Sequence, residues 1–301
     1  MNNISIQIQS TLYNTSLESF MRTLRSIQNA IQVSNKNGFS LSQVQVCFGD
    51  ASDTKTLKDK EVYEIQNEFE SDFVFSYNFF GFNSGSAKGH NILAENCKTD
   101  FLLLMNPDIL LCSRFFIEII SPFSAIDNVG IVEGRQTPVE HPKEYNQETY
   151  ETSWASGACT FIKTELFHKV GGYDSDTFFM YCDDVDLSWR VRLLGKKVIY
   201  QSRAMVFHAK RLSQKGNWLP SSAELYYSML ASLYMRQKWG KSEQVNELLK
   251  ELSNRNDENA KKVVKEFTKR KKNNQLPKTV KNAELVATHV DSTYTAFRFV
   301  L

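Results

Sequence analysis

The sequence contains no apolar run long enough to cross a membrane and no secretory signal. Its longest apolar stretch, Phe101 to Met105, is followed by Asn-Pro-Asp and is far shorter than the roughly 20 residues that a membrane-spanning helix needs. The opening residues, MNNISIQIQS, lack the basic and apolar regions of a secretory signal. We therefore expect a cytoplasmic protein, whose membrane contact would at most be peripheral, at the inner face of the membrane.

The chain also has few cysteines and little net charge. Its five cysteines include no C-x-x-C pair, which argues against zinc and redox motifs and predicts small, buried, reduced residues. A net charge of +2 excludes the global basic field of a dedicated nucleic-acid-binding protein. With 42% hydrophobic residues in 301 positions, the chain is long and apolar enough for one large α/β domain with an appendage.

Strand-like and helix-like segments alternate over the first part of the sequence. A helix is predicted at residues 17–31, and the predicted strands lie at residues 4–8, 44–48, 73–77 and 101–105. This alternation favours a parallel-sheet α/β domain. Because residues 221–239 and 242–270 are helix-prone, we place a domain boundary near residue 212. The α/β domain then covers residues 1–212, and a helical, basic region covers 213–301.

Acidic residues stand where predicted strands end, at the edge where open α/β sheets bind ligands. Asp50 and Asp53 follow the strand at 44–48, and Asn106-Pro107-Asp108 follows the strand at 101–105. A carboxylate at Asp108 suits a divalent cation that is shared with a diphosphate. The alternative is a plain turn, because Asn-Pro-Asp is also favourable turn chemistry.

Three carboxylates, Asp183, Asp184 and Asp186, crowd the start of a helix predicted at residues 185–194. Like charges this close repel one another, so the cluster indicates helix capping, a bound cation or catalytic use. Capping accounts for one or two of the three. The sharper hypothesis is a general base, because neighbouring negative charge raises the pKa of a carboxyl group toward the useful range.

Three further features each have a functional and a plain interpretation. His208 closes a predicted strand and is either a metal ligand or a structural histidine. Gly85, Gly89 and Asn91 suit a flexible loop before a helix, where the backbone either approaches a ligand or simply turns. Trp154 either stacks on an acceptor sugar or is buried.

Taken in order, these segments resemble the family 2 glycosyltransferases, particularly their rhamnosyltransferase-like bacterial members. The resemblance covers roughly the first two thirds of the chain as an ordered set of motifs. The motifs are Gly49-Asp50-Ala51-Ser52, Asn83-x-Gly85-x-Ala87-x-Gly89-x-Asn91, Leu103 to Asp108, Ser156-Gly157-Ala158, Gly171-Gly172-Tyr173-Asp174, Phe178 to Arg190, and Ala204-x-Val206-x-His208. The resemblance implies a GT-A fold, a Rossmann-like domain for a nucleotide-diphospho-sugar, here with a C-terminal helical extension.

The resemblance also implies roles for individual residues. Asp108 would bind Mn2+ or Mg2+, His208 would complete its coordination, and Asp184 would deprotonate the acceptor hydroxyl in an inverting reaction. The candidate substrate-binding residues, in the motifs or next to them, are Asp50, Asp53, Gly85, Gly89, Asn91, Asn106, Trp154, Gly157, Asp183 and Arg190. The expected donor is dTDP-rhamnose or a UDP-hexose. The expected acceptor is a saccharide or lipid-linked saccharide of bacterial cell-surface polysaccharide synthesis.

Three departures from the family pattern leave alternatives open. Asp183, a shorter carboxylate, replaces the usual glutamate of the E-D pair, at a position where the resemblance implies acceptor binding. The first turn contains a second aspartate, so Asp53 could replace Asp50 in contacting the nucleotide base. Asn106 replaces an acidic residue of the strict D-x-D motif, which leaves fewer charged metal ligands.

Two rival functions are weighed against glycosyl transfer. A nucleotidyltransferase would carry a Gly-rich, basic N-terminal loop, which is absent from this sequence. A non-catalytic sugar-nucleotide or glycan-binding subunit would not need Asp108, Asp184 and His208, all of which are present.

The C-terminal region carries two patterns of its own. Aromatic and aliphatic residues at helical spacing from Tyr226 to Tyr234 indicate packing in a core or in a homodimer. The basic run from Lys261 to Lys272 is opposed only by Glu266. It is either a solvated face or a surface attracted to an anionic membrane that carries the acceptor.

Overall fold

The computed structural model describes residues 3–140, 144–209, 219–289 and Tyr294. In this part of the chain, a nine-stranded sheet is built from the strands β1 (Ile4–Leu12), β2 (Leu41–Asp50), β3 (Val74–Phe79), β4 (Phe101–Met105), β5 (Ile109–Leu111), β6 (Val129–Thr137), β7 (Glu151–Thr152), β8 (Cys159–Lys163) and β9 (Lys197–His208). The domain boundary predicted near residue 212 lies outside the described residues.

Helices cover the sheet and continue beyond its last strand. They are α1 (Leu17–Lys36), α2 (Asp59–Phe69), α3 (Gly85–Ala94), α4 (Phe115–Ile120), α5 (Pro122–Ala125), α6 (Thr164–Lys169), α7 (Asp183–Leu193), α8 (Ser222–Lys238), α9 (Ser242–Asn254) and α10 (Glu258–Lys272), followed by a 3-10 turn at Ala283–Leu285. None of the helices in the described ranges has the length and apolarity needed to span a membrane.

The sheet is mixed, which corrects the prediction of a parallel sheet. Its order is β3-β2-β1-β4-β8-β6-β9-β5, with β7 paired to β9. The first four strands are parallel to one another, whereas β8 is antiparallel to both β4 and β6, and β5 and β7 are antiparallel to β9. The four strands predicted at residues 4–8, 44–48, 73–77 and 101–105 are parallel as expected, whereas the antiparallel strands β5, β7 and β8 were not predicted; β5 and β7 are only three and two residues long.

Helix α1 shows how the sequence builds one layer of the fold. Ser16 caps it, since its side chain accepts a hydrogen bond from the Ser19 N–H at 3.3 Å. Phe20, Leu24 and Ile27 recur at helical spacing and are buried in the core beneath the sheet. Each contributes about 1.5–3 kcal/mol to folding through burial. The helix extends five residues beyond the predicted end at residue 31, to Lys36.

The C-terminal helices pack against α7 and form a second core. Leu230, Leu233 and Tyr234 of α8 are buried in the same cluster as Trp189 of α7. The aromatic and aliphatic face of α8 is therefore core packing within the chain. The segment predicted as helix-prone at residues 242–270 divides into α9 and α10, because Asp257 caps a new helix by accepting from the Ala260 N–H at 2.8 Å.

The five cysteines, all among the described residues, form no disulfide, but they are not all buried as predicted. Cys159 and Cys182 are buried, Cys47 and Cys97 are half-buried, and Cys112 is exposed. Cys112 directly follows the short strand β5 and precedes α4, and a turn at that place lies at the surface.

Candidate active site

The Asn106-Pro107-Asp108 turn connects β4 to β5 at the carboxyl end of the buried parallel strands. The Asn106 N–H donates to the Ala158 carbonyl at 3.1 Å, and the Thr23 hydroxyl donates to the Pro107 carbonyl at 2.8 Å. The turn is thus fixed from both sides. Asp108 remains partly exposed, so its carboxylate is accessible to a ligand.

His208 is brought to this turn by strand pairing. The antiparallel register of β5 and β9 places His208 opposite Ile109, the residue after Asp108. Its Nε2 atom lies 3.5 Å from Asp108 Oδ1 and 3.3 Å from Asn106 Nδ2. Its Nδ1 atom lies 2.8 Å from Gln136 Oε1. This contact favours the proton on Nδ1, which leaves the lone pair of Nε2 directed at the turn.

The Asp108 and His208 pair fits a divalent cation that is shared with a substrate. Within the described ranges, no group of three or more His, Cys, Asp or Glu side chains could hold a metal ion by itself. A carboxylate oxygen and an imidazole nitrogen are, however, suitable donors for Mn2+ or Mg2+, whose other positions are often filled by substrate phosphates and water. The donor set therefore fits a sparse site that is completed by a diphosphate.

Asp184 lies in the first turn of α7, next to an unusual backbone. Tyr181 and Cys182, which lead into the helix, both have left-handed conformations, with φ of 68° and 60°. Such residues are strained and concentrate at functional sites. Asp184 Oδ2 accepts from the Gly157 N–H and Oδ1 from the Val185 N–H, each at 2.8 Å.

The Ser156-Gly157-Ala158 turn connects Asp184, the predicted base, with the turn that carries Asp108. Gly157 binds the carboxylate of Asp184, and the next residue, Ala158, binds the backbone of Asn106. A side chain at Gly157 would be crowded, because an added Cβ would lie 3.3 Å from the Cβ of Asp184. Gly157 therefore positions the predicted base through its N–H group.

The remaining aspartates of α7 differ in their surroundings. Asp183 is 6% exposed, and burial together with the charge of Asp184 raises the pKa of its carboxyl group to about 8. Asp186 is fully buried and accepts from Lys238 and Arg190, each at 2.7 Å. Helix α7 begins at Asp183, two residues before the predicted start.

Arg190, predicted to bind substrate, makes two contacts within the fold. Besides its ion pair with Asp186, it donates to the Val170 carbonyl at 2.6 Å. These contacts fix the turn that precedes Tyr173 and Asp174 onto α7. The family motif that contains Arg190 is thus in part a structural motif in this chain.

Asp50 is also held within the protein. Its side chain is buried and accepts from the N–H groups of Ser52 at 3.0 Å and Thr56 at 2.7 Å, and from the hydroxyl of Tyr77. Although burial opposes ionisation, these hydrogen bonds lower the pKa of Asp50. Asp50 therefore shapes the turn after β2, and the exposed Asp53 is the aspartate of that turn that faces solvent.

The predicted glycine loop is in fact helix α3, which corrects the expectation for Gly85, Gly89 and Asn91. An added Cβ at Gly85 would collide with Phe179, and one at Gly89 would collide with Thr11. Asn91 binds the backbone of Tyr173 twice, each time at 2.8 Å. These residues thus allow close packing of α3 against β1 and the Tyr173 turn, which sequence spacing alone cannot distinguish from close approach to a ligand.

Trp154 is 3% exposed and lies in the second core, where its ring meets that of Tyr294 edge-on at 5.3 Å. It offers no open face to a sugar. Of the two interpretations drawn from the sequence, the structure shows the buried tryptophan.

No family model matches the chain. Over 71 residues it is 39% identical to N-acetylglucosaminyl-diphospho-decaprenol L-rhamnosyltransferase of Mycobacterium tuberculosis, a match to 22% of this chain and 23% of that enzyme. Over 76 residues it is 32% identical to Rhamnosyltransferase WbbL of Escherichia coli, a match to 25% of this chain and 27% of that enzyme. The chain thus matches about a quarter of the length of these curated relatives.

Solved structures match almost the whole chain. GalNAc-T7 with UDP, GalNAc and Mn2+ has a TM-score of 0.60 at 14% identity, over 92% of this chain and 56% of that one. Mannosyltransferase PcManGT from Pyrobaculum calidifontis in complex with GDP-Man and Mn2+ has a TM-score of 0.54 at 13% sequence identity, and the match covers 89% of this chain and 81% of that one. S. aureus TarS has a TM-score of 0.51 at 14% sequence identity, and the match covers 90% of this chain and 43% of that one. The chain has the GT-A glycosyltransferase fold. This fold and the rhamnosyltransferase similarity confirm the predicted fold class and the resemblance stated from the motifs.

Three residues that shape the site of this GT-A domain were missed by sequence analysis. Gln136 orients His208, Tyr77 binds Asp50, and Lys238 binds Asp186. Each contact joins residues from distant parts of the sequence, and none belongs to a local motif. The one available signal was the position of Lys238 at the end of an otherwise apolar helical pattern.

Proposed function

We propose that the chain is an inverting, metal-dependent glycosyltransferase that moves a sugar from a nucleotide-diphosphate donor to a hydroxyl of a saccharide acceptor. The observation that carries the proposal is the turn at 156–158, which binds Asp184 through Gly157 and the Asn106 turn through Ala158. A candidate base and a candidate diphosphate site are thereby held side by side. The GT-A fold and the local similarity to rhamnosyltransferases support the same activity.

In the proposed reaction, Asp184 accepts the proton of the acceptor hydroxyl as the oxygen attacks the anomeric carbon. The bond from that carbon to the diphosphate breaks on the opposite face, so configuration inverts. The N–H groups of Gly157 and Val185 donate to the carboxylate and fix its orientation, and a carboxylate oxygen can accept more than one hydrogen bond. The departing group is the nucleoside diphosphate, and no covalent enzyme intermediate is required.

Asp108 and His208 would hold the divalent cation. The bound cation supplies electrostatic stabilisation of the charge that develops on the departing diphosphate. Gln136 keeps His208 in the tautomer that presents Nε2 to this edge, and Asn106 lies beside it. The two solved neighbours with Mn2+ support a cation for this chain as well.

The donor and acceptor are proposed from the curated relatives. Their names describe rhamnosyltransferases, and one name specifies N-acetylglucosaminyl-diphospho-decaprenol and L-rhamnose. We infer that dTDP-rhamnose is the first donor to test here, with UDP-hexoses second, and that the acceptor is a lipid-linked saccharide. Exposed lysines of α10, among them Lys262, Lys265 and Lys269, support a peripheral contact with an anionic membrane that carries such an acceptor.

The experiment that tests the function is a nucleotide-sugar panel with the full chain. We expect the proposed donor to raise the melting temperature only with Mn2+ or Mg2+ present, because a ligand that binds the folded state stabilises it more as its concentration exceeds its Kd. The donor that stabilises the chain is then assayed as a substrate for transfer to a synthetic glycosyl-diphospho-lipid. Full transfer in excess chelator would remove the cation from the proposal, and binding without transfer to any acceptor would favour a non-catalytic subunit.

A further inference from the structure

The solvent-facing side of α10 carries a row of exposed lysines, which we call the lysine arc. At about 100° of rotation per residue, they fall within an arc of about 100°, and at about 1.5 Å of rise per residue the row is about 16 Å long. The arc lies opposite Val263 and Phe267, which are buried against the rest of the protein. Its members are Lys261, Lys262, Lys265, Lys269 and Lys272.

Most of the positive charge of the arc is uncompensated within the described residues. Four of its five lysines form no ion pair with any described residue, and several stand four residues apart, where like charges repel. The acidic residues nearby already have partners: Glu258 with Lys261 at 3.1 Å, Asp257 with Arg255 at 2.9 Å, and Glu266 with Arg270 at 3.4 Å. The arc therefore favours an anionic partner.

Apolar side chains of α8 border the lysine arc. A groove of about 310 Å³ between the starts of α8 and α10 is lined in part by Leu225, Met229 and Lys262. Leu225 is 44% exposed. The Asn259 side-chain amide donates to the Ser222 hydroxyl at 3.1 Å and so joins the two helices at this point. The surface thus combines positive charge with exposed apolar area.

An anionic lipid bilayer matches both properties of this surface. Its headgroups attract lysines, and an apolar boundary lies just beneath the headgroups. A nucleic acid would pair with the lysines but would leave Leu225 in water, whereas a small apolar ligand would leave the lysines unpaired. A straight row of charges on a convex helix also suits a flat surface.

We propose that the lysine arc and Leu225 together form a surface that docks the protein on an anionic bilayer. The lysines would contact headgroups at the ends of their flexible stems, and Leu225 would enter the apolar boundary. The inference rests on the proposed function, since a lipid-linked acceptor lies in a membrane, and it deepens that function by assigning the docking surface to α8 and α10. Arg270 joins α10 to the segment that leads into α7, because it donates to the Asp176 carbonyl at 3.2 Å.

The test is co-sedimentation of the full chain with vesicles of phosphatidylcholine alone or of an equal mixture of phosphatidylcholine and phosphatidylglycerol. We expect the wild type to bind the mixed vesicles only. Binding should weaken strongly in about 1 M salt, where charges are screened beyond about 3 Å. The triple variant Lys262→Gln/Lys265→Gln/Lys269→Gln should lower the partition coefficient about tenfold or more, because each lysine near the surface contributes to binding.

The matched control for charge is Lys36→Gln/Lys98→Gln/Lys169→Gln, which removes three exposed lysines of the α/β domain and should bind as the wild type does. For the apolar contact, Leu225→Ser should lower the partition coefficient about threefold. Its control is Leu194→Ser, since Leu194 is 45% exposed and Leu225 is 44% exposed. Melting temperatures of all variants are measured, so that lost binding is not mistaken for unfolding.

Three results would overturn the inference: no binding of the wild type to mixed vesicles, equal losses in the two triple variants, or equal partition of Leu225→Ser and Leu194→Ser. Tighter binding to duplex DNA at the same phosphate concentration would assign the surface to a nucleic acid instead. Thermal stabilisation by nucleotide-sugars with Mn2+ is measured on the same samples. If it persists without vesicle binding, the proposed function stands, and vesicle binding without it would overturn the proposed function alone.

Discussion

Asp184 and Asp186 lie two residues apart on α7 and have opposite surroundings. Asp186 is buried and bonded by Arg190 and Lys238, and it also accepts from the indole of Trp239 at 3.1 Å. Its charge is neutralised within the fold.

Asp184, by contrast, accepts from the main-chain N–H groups of Gly157 and Val185 and is only partly buried. Main-chain donors fix the carboxylate without supplying the full positive charge that Arg190 and Lys238 bring to Asp186. The lesson is that repulsion within an acidic cluster is resolved residue by residue, so membership of a motif does not by itself assign a role.

The largest effect should come from Asp184→Asn, which removes the proposed base while keeping the shape of the side chain. We expect the transfer rate to fall about 10³-fold, in the range typical of general bases. Donor-dependent thermal stabilisation should persist, because no proposed donor contact is lost. Transfer within tenfold of the wild-type rate would assign the base to another residue.

Asp186→Asn should instead reduce stability. Breaking a buried ion pair leaves an uncompensated charge and costs about 3–5 kcal/mol, and we expect the lower end because Lys238 retains Asp174 at 2.6 Å. Urea unfolding measures the loss, with the exposed Asp127→Asn as control. Equal stability of the two variants would contradict the structural role of Asp186.

Asp183→Asn should raise thermal stability relative to the wild type by an amount that depends on pH. The folded-state pKa of Asp183 is raised to about 8 from 3.8, so the folded chain binds this proton more tightly than the unfolded chain. The contribution of Asp183 to the free energy of unfolding of the wild type is therefore fully present below the pKa of the unfolded state, and it is lost as pH rises toward 8. The variant carries no ionisable group there, so its melting temperature relative to wild type should rise between about pH 5 and pH 9. A pH-independent difference would count against the raised pKa.

The smallest effect is expected for Gly157→Ala. The added methyl group would lie 3.3 Å from the Cβ of Asp184, so the carboxylate must shift by a few tenths of an ångström. We expect turnover to fall about tenfold, since positional errors near 1 Å cost about 100-fold, while the donor KM stays the same. Unchanged turnover would show that the turn at 156–158 does not position the base.

Elements whose local pattern matches their environment were predicted well. The strand at 101–105 has the same bounds in the structure, because its five apolar residues are all buried. Helix α1 was found from its cap and its periodic apolar residues. The glycine-rich start of α3 was taken for a loop, because glycine lowers helix propensity and its packing against Phe179 and Thr11 is a long-range contact.

The sequence names candidate site residues but does not give their arrangement. The motif order pointed to Asp108, Asp184 and His208, yet the pairing of β5 with β9 that places His208 beside Asp108 cannot be read from spacing. The motif that contains Arg190 also did not indicate that this residue contacts Asp186 and the Val170 carbonyl and so helps to hold the fold.

The buried ammonium group of Lys238 has a practical consequence for shortened versions of this protein. It reaches from the end of α8 to Asp174 and Asp186 at 2.6 and 2.7 Å, and it is 7% exposed. A fragment cut before α8 would keep both acidic groups and lose their shared counterion along with the apolar cover of Trp189. The α/β portion should therefore be expressed with its C-terminal helices, and complementation by a separately made helical fragment should depend on the lysine that it supplies.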